Sequence, residues 1–362
     1  MSAKARETVI RLLGDCDVQV DGPRPTDIHV RDPRFYTRVL AEGSIGVGES
    51  YMDGWWDAED LDGFITQVLR RDVDQRLRGW HEVMGFAHAK LTNLQSRARA
   101  FQVGERHYDI GNDLYSRMLD SRMIYSCAYW VDAATLEEAQ VAKLNLTLDK
   151  LRLQPGQTVL DVGCGWGGAL KHAVERYGVS GVGVTVSKEQ AELARGRVAG
   201  LPVEIRLTDY RDLNQQFDHA YSIGMFEHVG PKNYRTYLEV VRRCLKPGGR
   251  FLLHTIGALR YSRNDIDPWI GRYIFPNAVI ARQKDITDAL DGLFWIEGWQ
   301  RIGPHYDPTL IAWRRNFEAA WPELSQTRDE RFYRMWRYYL SVCAAGFRAG
   351  VTDVWQVLLT RA

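Results

Sequence analysis

Val159-Leu160-Asp161-Val162-Gly163-Cys164-Gly165-Trp166-Gly167-Gly168 joins an apolar run to a loop with almost no side chains. Val159, Leu160 and Val162 suit a central parallel strand buried on both faces. The four glycines after it let the backbone bend sharply and let a ligand approach closely. A helix is expected from about Gly168 through Ala169, Leu170, His172, Ala173 and Val174, with its first amides facing the loop. This arrangement points to a nucleotide-type cofactor.

Gly163, Gly165 and Gly168 formally fit the G-x-G-x-x-G pattern of dinucleotide sites. Such a site also places an acid about 20 residues on, at the end of the next strand. That strand here is Gly181 to Ser187, and it ends without one. Asp161 lies instead inside the first strand, and Val-Leu-Asp-Val-Gly-Cys-Gly resembles motif I of S-adenosylmethionine-dependent methyltransferases. Two later segments agree: Thr208-Asp209-Tyr210 after the strand Val203 to Leu207, and Leu245-Lys246-Pro247-Gly248-Gly249 as a turn before the strand Arg250 to Thr255. Turns without a ligand rarely need four glycines in six residues.

The chain has 362 residues and a formal net charge of +1, so length suggests two domains and charge gives no support for nucleic-acid binding. Its 45% hydrophobic and 26% charged residues are those of an ordinary globular protein. The 12 Trp, 17 Tyr and 12 Phe serve either a large aromatic core or a pocket for an apolar substrate or developing cation. Cys16, Cys127, Cys164, Cys244 and Cys343 are odd in number and form no C-x-x-C pair, against a disulfide framework and against a zinc site. No metal is expected. With neither a signal peptide nor a spanning apolar run, a cytoplasmic protein with at most peripheral membrane contact is expected.

Residues 1–79 read as a small N-terminal α/β domain. Val18 to Val20 and Ile28 to Val30 are expected as short strands around an Asp21-Gly22-Pro23 turn, with helices over Pro33 to Glu42 and Asp60 to Arg71. Trp55 and Trp56 between those helices read as local core. Residues 80–103 read as a linker helix carrying Trp80, Val83, Met84, Ala87, Leu91, Leu94 and Ala98 at helical spacing. Lys90, Arg97, Arg99 and Arg106 leave open whether it packs on a domain or meets an anionic membrane. Residues 104–362 read as one large catalytic domain, with a helix over Leu136 to Arg152. Strands are expected near 158–163, 180–187, 203–208, 217–225, 250–256, 294–302 and 354–359. Alternation with helices gives a Rossmann-like α/β fold with a mostly parallel, seven-stranded sheet. Gly163, Thr185, Asp209 and Glu227 all fall at carboxyl ends of its strands.

Four further segments stand out: His107 to Tyr115, Tyr125-Ser126-Cys127-Ala128-Tyr129-Trp130, Gly224-Met225-Phe226-Glu227-His228-Val229-Gly230 and Leu253-His254-Thr255-Ile256-Gly257. Through them nearly the whole chain resembles bacterial cyclopropane-fatty-acyl-phospholipid synthases. The N-terminal domain favours this branch over the mycolic-acid relatives, which resemble only the catalytic part. The resemblance implies a class I methyltransferase fold. It also implies methylene transfer from S-adenosylmethionine to the cis double bond of an unsaturated phospholipid chain, through a carbocation deprotonated by bound bicarbonate. The holders of that ion map onto Cys127, Glu227, His254, Tyr306 and the backbone of Ile256. The residues alone offer a carboxylate and a histidine at neighbouring strand ends, either of which would serve as direct base. The cofactor binders map onto Tyr125, Ser126, Gly163, Gly165, Thr185, Gln190, Asp209 and Tyr210, with Thr185 and Gln190 in place of the ribose acid.

Cys164 reads as filling space, and Cys343 in its apolar run as pocket lining rather than nucleophile. Composition makes Asp267 to Pro276 a candidate entrance for the acyl chain, with Trp269, Tyr273 and Phe275 against the lipid and Arg272 against a phosphate. Tyr261, Trp313 and Phe317 are further lining candidates. A small-molecule methyltransferase and a non-catalytic lipid carrier are the competing readings. The intact Cys127, Glu227, His254 and Tyr306 set argues against both. A homodimer is left open, as are head-group and chain-length preference.

Overall fold

The computed structural model describes residues 3–72, 111–260 and 266–362. These fall into two compact units that interleave along the chain. One takes the described residues up to 72 with Ile266–Phe275 and Leu310–Val351. The other takes residues 111–260 with Pro276–Thr309 and Thr352–Ala362. The continuous division expected at 79 and 104 is therefore not the division seen. The expected linker helix lies outside the described residues, as do His107 to Ile110 and Tyr261.

The first unit is mostly helical: α1 (Ala3–Gly14), α2 (Arg34–Glu42), α3 (Ser44–Met52) and α4 (Leu61–Arg70), with α10 (Pro268–Tyr273) and α13 (Glu330–Arg348) supplied later in the chain. Its strands, β1 (His29–Val30) and β2 (Trp56–Asp57), are two residues each and pair antiparallel. The expected strand at Val18 to Val20 shrinks to a single bridge, Val20 to Ile28. The cause is Asp27, whose buried carboxylate accepts from the Gln19 amide at 2.8 Å and the Arg24 amide at 3.0 Å. A side chain thus takes bonds that a ladder would have used. α13 completes the unit because Arg334 donates to the Tyr51 and Trp56 carbonyls, pairs with Asp57 and lies 4.0 Å over the Tyr51 ring. Trp56 is fully buried, as expected of local core.

The second unit holds a seven-stranded sheet: β3 (Thr158–Val162), β4 (Ser180–Thr185), β5 (Val203–Leu207), β6 (Phe217–Ile223), β7 (Leu245–Ala258), β8 (Phe294–Arg301) and β9 (Thr352–Arg361). Their order is β5-β4-β3-β6-β7-β9-β8. Pairing is parallel from β5 through β7, and antiparallel from β7 to β9 and from β9 to β8. The expected mostly parallel sheet is thus present. Leu245 to Gly249 is not a separate turn before β7. Leu245 already pairs with Phe217, and the next pair is His219 with Arg250, so the intervening residues bulge out of the ladder.

Alternation along β3 explains its burial on both faces. Val159 packs with Leu144 and Leu148 of α6 (Leu136–Asp149), Leu170 of α7 (Gly168–Tyr177) and Ala191 of α8 (Lys188–Arg197). Leu160 and Val162 face the opposite way, against Tyr237 and Leu238 of α9 (Tyr234–Arg243) and Ile286 of α11 (Gln283–Leu290). α6 begins with a full capping box between Thr135 and Glu138, which fixes its start. No described helix is long and apolar enough to cross a membrane.

Candidate active site

Strand order reverses between β3 and β6, and the candidate site residues lie at the carboxyl ends on both sides of that point. On one side the site is made largely of backbone. Gly163, Gly165 and Gly167 have φ of 92°, 52° and 79°. A Cβ at Gly163 would lie 2.7 Å from Met225, whereas one at Gly165 would enter open space. A cofactor can therefore approach the main chain closely at Gly165. The loop is fastened by the Gly163 and Cys164 amides, which donate to the Val184 carbonyl at 3.0 and 2.9 Å.

Thr185 ends β4, and its hydroxyl donates to Gln190 Oε1 at 2.9 Å while accepting from the Ser187 amide. The two residues expected to replace the ribose acid are thus partners at a helix start. The Thr208 amide donates to the Thr185 carbonyl at 3.0 Å, which brings Asp209 and Tyr210 alongside. The Asp209 oxygens accept from the Arg211 amide at 2.9 Å and its guanidinium at 2.8 Å. Tyr210 is buried against Tyr237, and its hydroxyl has no protein partner among the described residues.

Ser126 links this side to a group that sequence reasoning missed. Lys143, fully buried on α6, donates to the Ser126 hydroxyl at 2.9 Å. Burial lowers its pKa to about 8, opposed by Asp120, Cys127 and Asp161. The signal was present: Ala139, Gln140, Lys143, Leu144, Thr147 and Leu148 form one buried helical stripe, and a lysine on such a stripe needs a reason. Tyr125 stacks edge-on with Tyr115 at 5.1 Å.

On the other side of the switch point the site is made of side chains. Glu227 is in a short 3-10 turn after β6. Its Oε1 accepts from the Ile256 amide at 2.6 Å, and its buried Oε2 has no protein partner among the described residues. Burial raises its pKa, against the opposing Ile256 amide. The Ile256 amide is thereby committed to Glu227. His254, two residues earlier on β7, is buried, and burial drives its pKa well below the ordinary value, so the ring is neutral. Its Nδ1 lies 3.3 Å from Gln356 on β9, directly across the ladder.

Cys127 is fully buried, its Sγ directed to the Ala128 and Ile302 carbonyls at 3.2 and 3.7 Å. Burial holds this thiol far above the usual range, so it is a neutral hydrogen-bonding group and not a nucleophile. The Ile302 amide in turn donates to Val354, which pairs with Ile256. One chain of contacts thus runs from Cys127 through β9 to Glu227. Tyr306 opens α12 (Tyr306–Leu324), four residues after Ile302. Asp353, also missed, is buried and accepts from the Gly303 and Val354 amides at 2.9 Å each, which anchors the segment before Tyr306.

The lipid-lining candidates Trp269, Tyr273, Phe275 and Cys343 belong to the first unit. Trp269 is fully enclosed, with Tyr338 at 4.7 Å and Tyr273 at 5.3 Å from its ring, and is core. Trp313 and Phe317 are likewise fully buried. Phe275 meets Tyr339 edge-on. Tyr273 donates to Glu49 at 2.7 Å, and Arg272 pairs with the same carboxylate at 3.1 Å. Burial raises the Cys343 thiol to about 12, which fits lining better than nucleophilic attack. No cluster of three metal-ligating side chains occurs among the described residues.

Residues 95–357 match the family model described as mycolic acid cyclopropane synthetase. The chain is 52% identical over 351 residues to the cyclopropane-fatty-acyl-phospholipid synthase of Escherichia coli K12, covering 97% of this chain and 92% of that one. It is 35% identical to the tuberculostearic acid methyltransferase UfaA1 of Mycobacterium tuberculosis, covering 94% of this chain and 84% of that one. Among solved structures it resembles the mycolic acid cyclopropane synthase CmaA1 complexed with SAH and CTAB, at 34% identity and a TM-score of 0.67. That match covers 72% of this chain and 98% of the other. A TM-score of 0.68 to coclaurine N-methyltransferase, at 21% identity, reflects the shared class I methyltransferase fold alone. The chain belongs to the mycolic acid cyclopropane synthetase family of methyltransferases.

Proposed function

We propose that the protein transfers a methylene group from S-adenosylmethionine to the cis double bond of unsaturated phospholipid chains at a membrane surface, with bicarbonate held between Glu227 and His254. The near full-length match to the E. coli cyclopropane-fatty-acyl-phospholipid synthase supports the reaction and the substrate class. The buried, unpartnered Oε2 of Glu227 carries the anion site.

S-adenosylmethionine supplies the one-carbon unit. The alkene π pair forms a bond to that carbon as the sulfur–carbon bond breaks, leaving a carbocation on the chain. Loss of a proton from the added methyl lets its C–H pair close the ring. The alkene is a poor nucleophile, so positioning must carry much of the rate. The glycine loop, Thr185, Gln190 and Asp209 hold the cofactor for that step. Bicarbonate, when bound, supplies the base. Glu227 Oε2 would receive the hydroxyl hydrogen of the ion, and His254 and Tyr306 would donate to its oxygens. The pocket must also exclude water, which would otherwise trap the cation as an alcohol.

The test is turnover on vesicles of phosphatidylglycerol with cis-monounsaturated chains. The product should gain one CH₂, lose its olefin and show upfield cyclopropyl protons. Glu227→Gln should cut turnover by about 10²–10⁴-fold while cofactor binding persists. Stripping bicarbonate should lower the rate, and its return should restore it. A methyl-branched product would overturn the ring-forming reading. A rate indifferent to verified bicarbonate depletion would assign the proton to a side-chain base instead.

A further inference from the structure

We infer that Gln356 is a positioning residue, which holds His254 as the tautomer protonated on Nε2. A chain of donors and acceptors around the ring has one consistent solution. It begins at Lys150, whose ammonium meets Gln356 Oε1. An ammonium can only donate, so the atom facing it must be the amide oxygen. That fixes which way round the amide lies, an orientation otherwise ambiguous. The Gln356 NH₂ then faces Thr147 Oγ1 at 3.0 Å and His254 Nδ1 at 3.3 Å.

Thr147 closes the chain. Its hydroxyl hydrogen goes to the Lys143 carbonyl at 2.8 Å, so toward Gln356 it presents a lone pair. The amide has two hydrogens, one for each neighbour. His254 Nδ1 is therefore an acceptor and carries no proton. The ring is buried and neutral, so its single proton sits on Nε2.

The β-ladder sets this geometry, since His254 and Gln356 are register partners on β7 and β9. Lys150 and Thr147 approach from the end of α6 and just beyond it. An Nε2–H is what a donor to an anion requires, and the opposite tautomer would present a lone pair to it. The inference thus deepens the role proposed for His254 and rests on that role only for its effect on turnover.

The test is nitrogen-15 NMR of the full protein with labelled histidine, the His254 signal being identified by its loss in His254→Gln. In the unmodified protein Nδ1 should appear unprotonated and Nε2 protonated. A protonated Nδ1 there overturns the inference without any Gln356 variant. In Gln356→Met the nitrogens should move toward a mixture of both tautomers, and turnover should fall roughly two- to tenfold with cofactor affinity unchanged. Lys150→Met should give the same mixture, because the amide can then turn over. A tautomer that stays wholly Nε2–H in Gln356→Met overturns the inference. A mixture with undiminished turnover leaves the lock standing and overturns His254 as the anion's donor.

Discussion

The two sides of the sheet's switch point build a site in opposite ways. Across β3, β4 and β5 the frame is backbone, three glycines with positive φ and strand-end amides, to which Thr185, Gln190 and Asp209 add a few side chains at the strand ends. Across β6, β7 and β9 the working parts are side chains, with Glu227, His254 and Gln356 set by ladder register and by bonds to residues far away in sequence. A backbone site tolerates little change of shape. A side-chain site tolerates shape but not the loss of a donor or acceptor.

The sharpest way to break this contrast is Gly163→Ala. The new methyl would need a left-handed backbone and would crowd Met225 at 2.7 Å. Strain and overpacking together should cost about 2–4 kcal/mol of stability, and cofactor binding should be lost in calorimetry. Near-normal affinity would mean that the loop is looser than a backbone-built site requires.

Asp209→Ala should come next, weakening cofactor binding about 10- to 100-fold while turnover at saturating cofactor holds. The reasoning is one lost bond from the adenine amino group to a buried carboxylate. An unchanged dissociation constant would move the adenine elsewhere.

Asp161→Asn sharpens the comparison through pH. Burial raises Asp161 to about 7, with Tyr221 and Lys143 opposing. An acid with a higher pKa folded than unfolded holds its proton more tightly in the folded state. Its contribution is therefore intact below the unfolded value of about 4 and is lost as pH rises through about 7. Urea midpoints of the original protein should fall across that window, and those of Asp161→Asn should fall less. Parallel curves would mean that Asp161 titrates normally.

The smallest effects belong to a matched pair of buried cysteines, one on each side. Cys164→Ala should cost about 1 kcal/mol or less and leave turnover near normal. Cys127→Ala should fold and bind cofactor but turn over more slowly. Equal effects on turnover would erase the distinction between filler and contact.

This contrast also explains what the sequence discloses. The glycine side was legible because few residues besides glycine serve at φ of 92° or 79°, so the physics writes itself as a motif. The alternation of Val159 and Leu160 between two cores was legible for the same reason, since period and burial coincide. Glu227 and His254 could be picked out from the residues only as a carboxylate and a histidine at neighbouring strand ends, which have many ordinary explanations; the proposed ion-holding role, and Cys127 with it, came from family resemblance alone. Gln356, Thr147 and Asp353 were missed because their partners lie up to 209 residues away, beyond any local pattern. The bridge at Val20 replaced a strand because one carboxylate, Asp27, outbid the ladder for its amides. The interleaved first unit was missed because α13 shows its aromatic face in sequence but not which helices it covers.

β9 carries one more consequence. It slots between β7 and β8, and it brings Gln356 to His254 from 102 residues downstream. A ribosome delivers β3, β4 and β5 long before that strand. A growing chain therefore carries the glycine loop and its strands before His254 has the partner that faces its Nδ1. Order of synthesis thus makes the setting of that ring a late event on the ribosome, since it waits for the last strand of the sheet to be made.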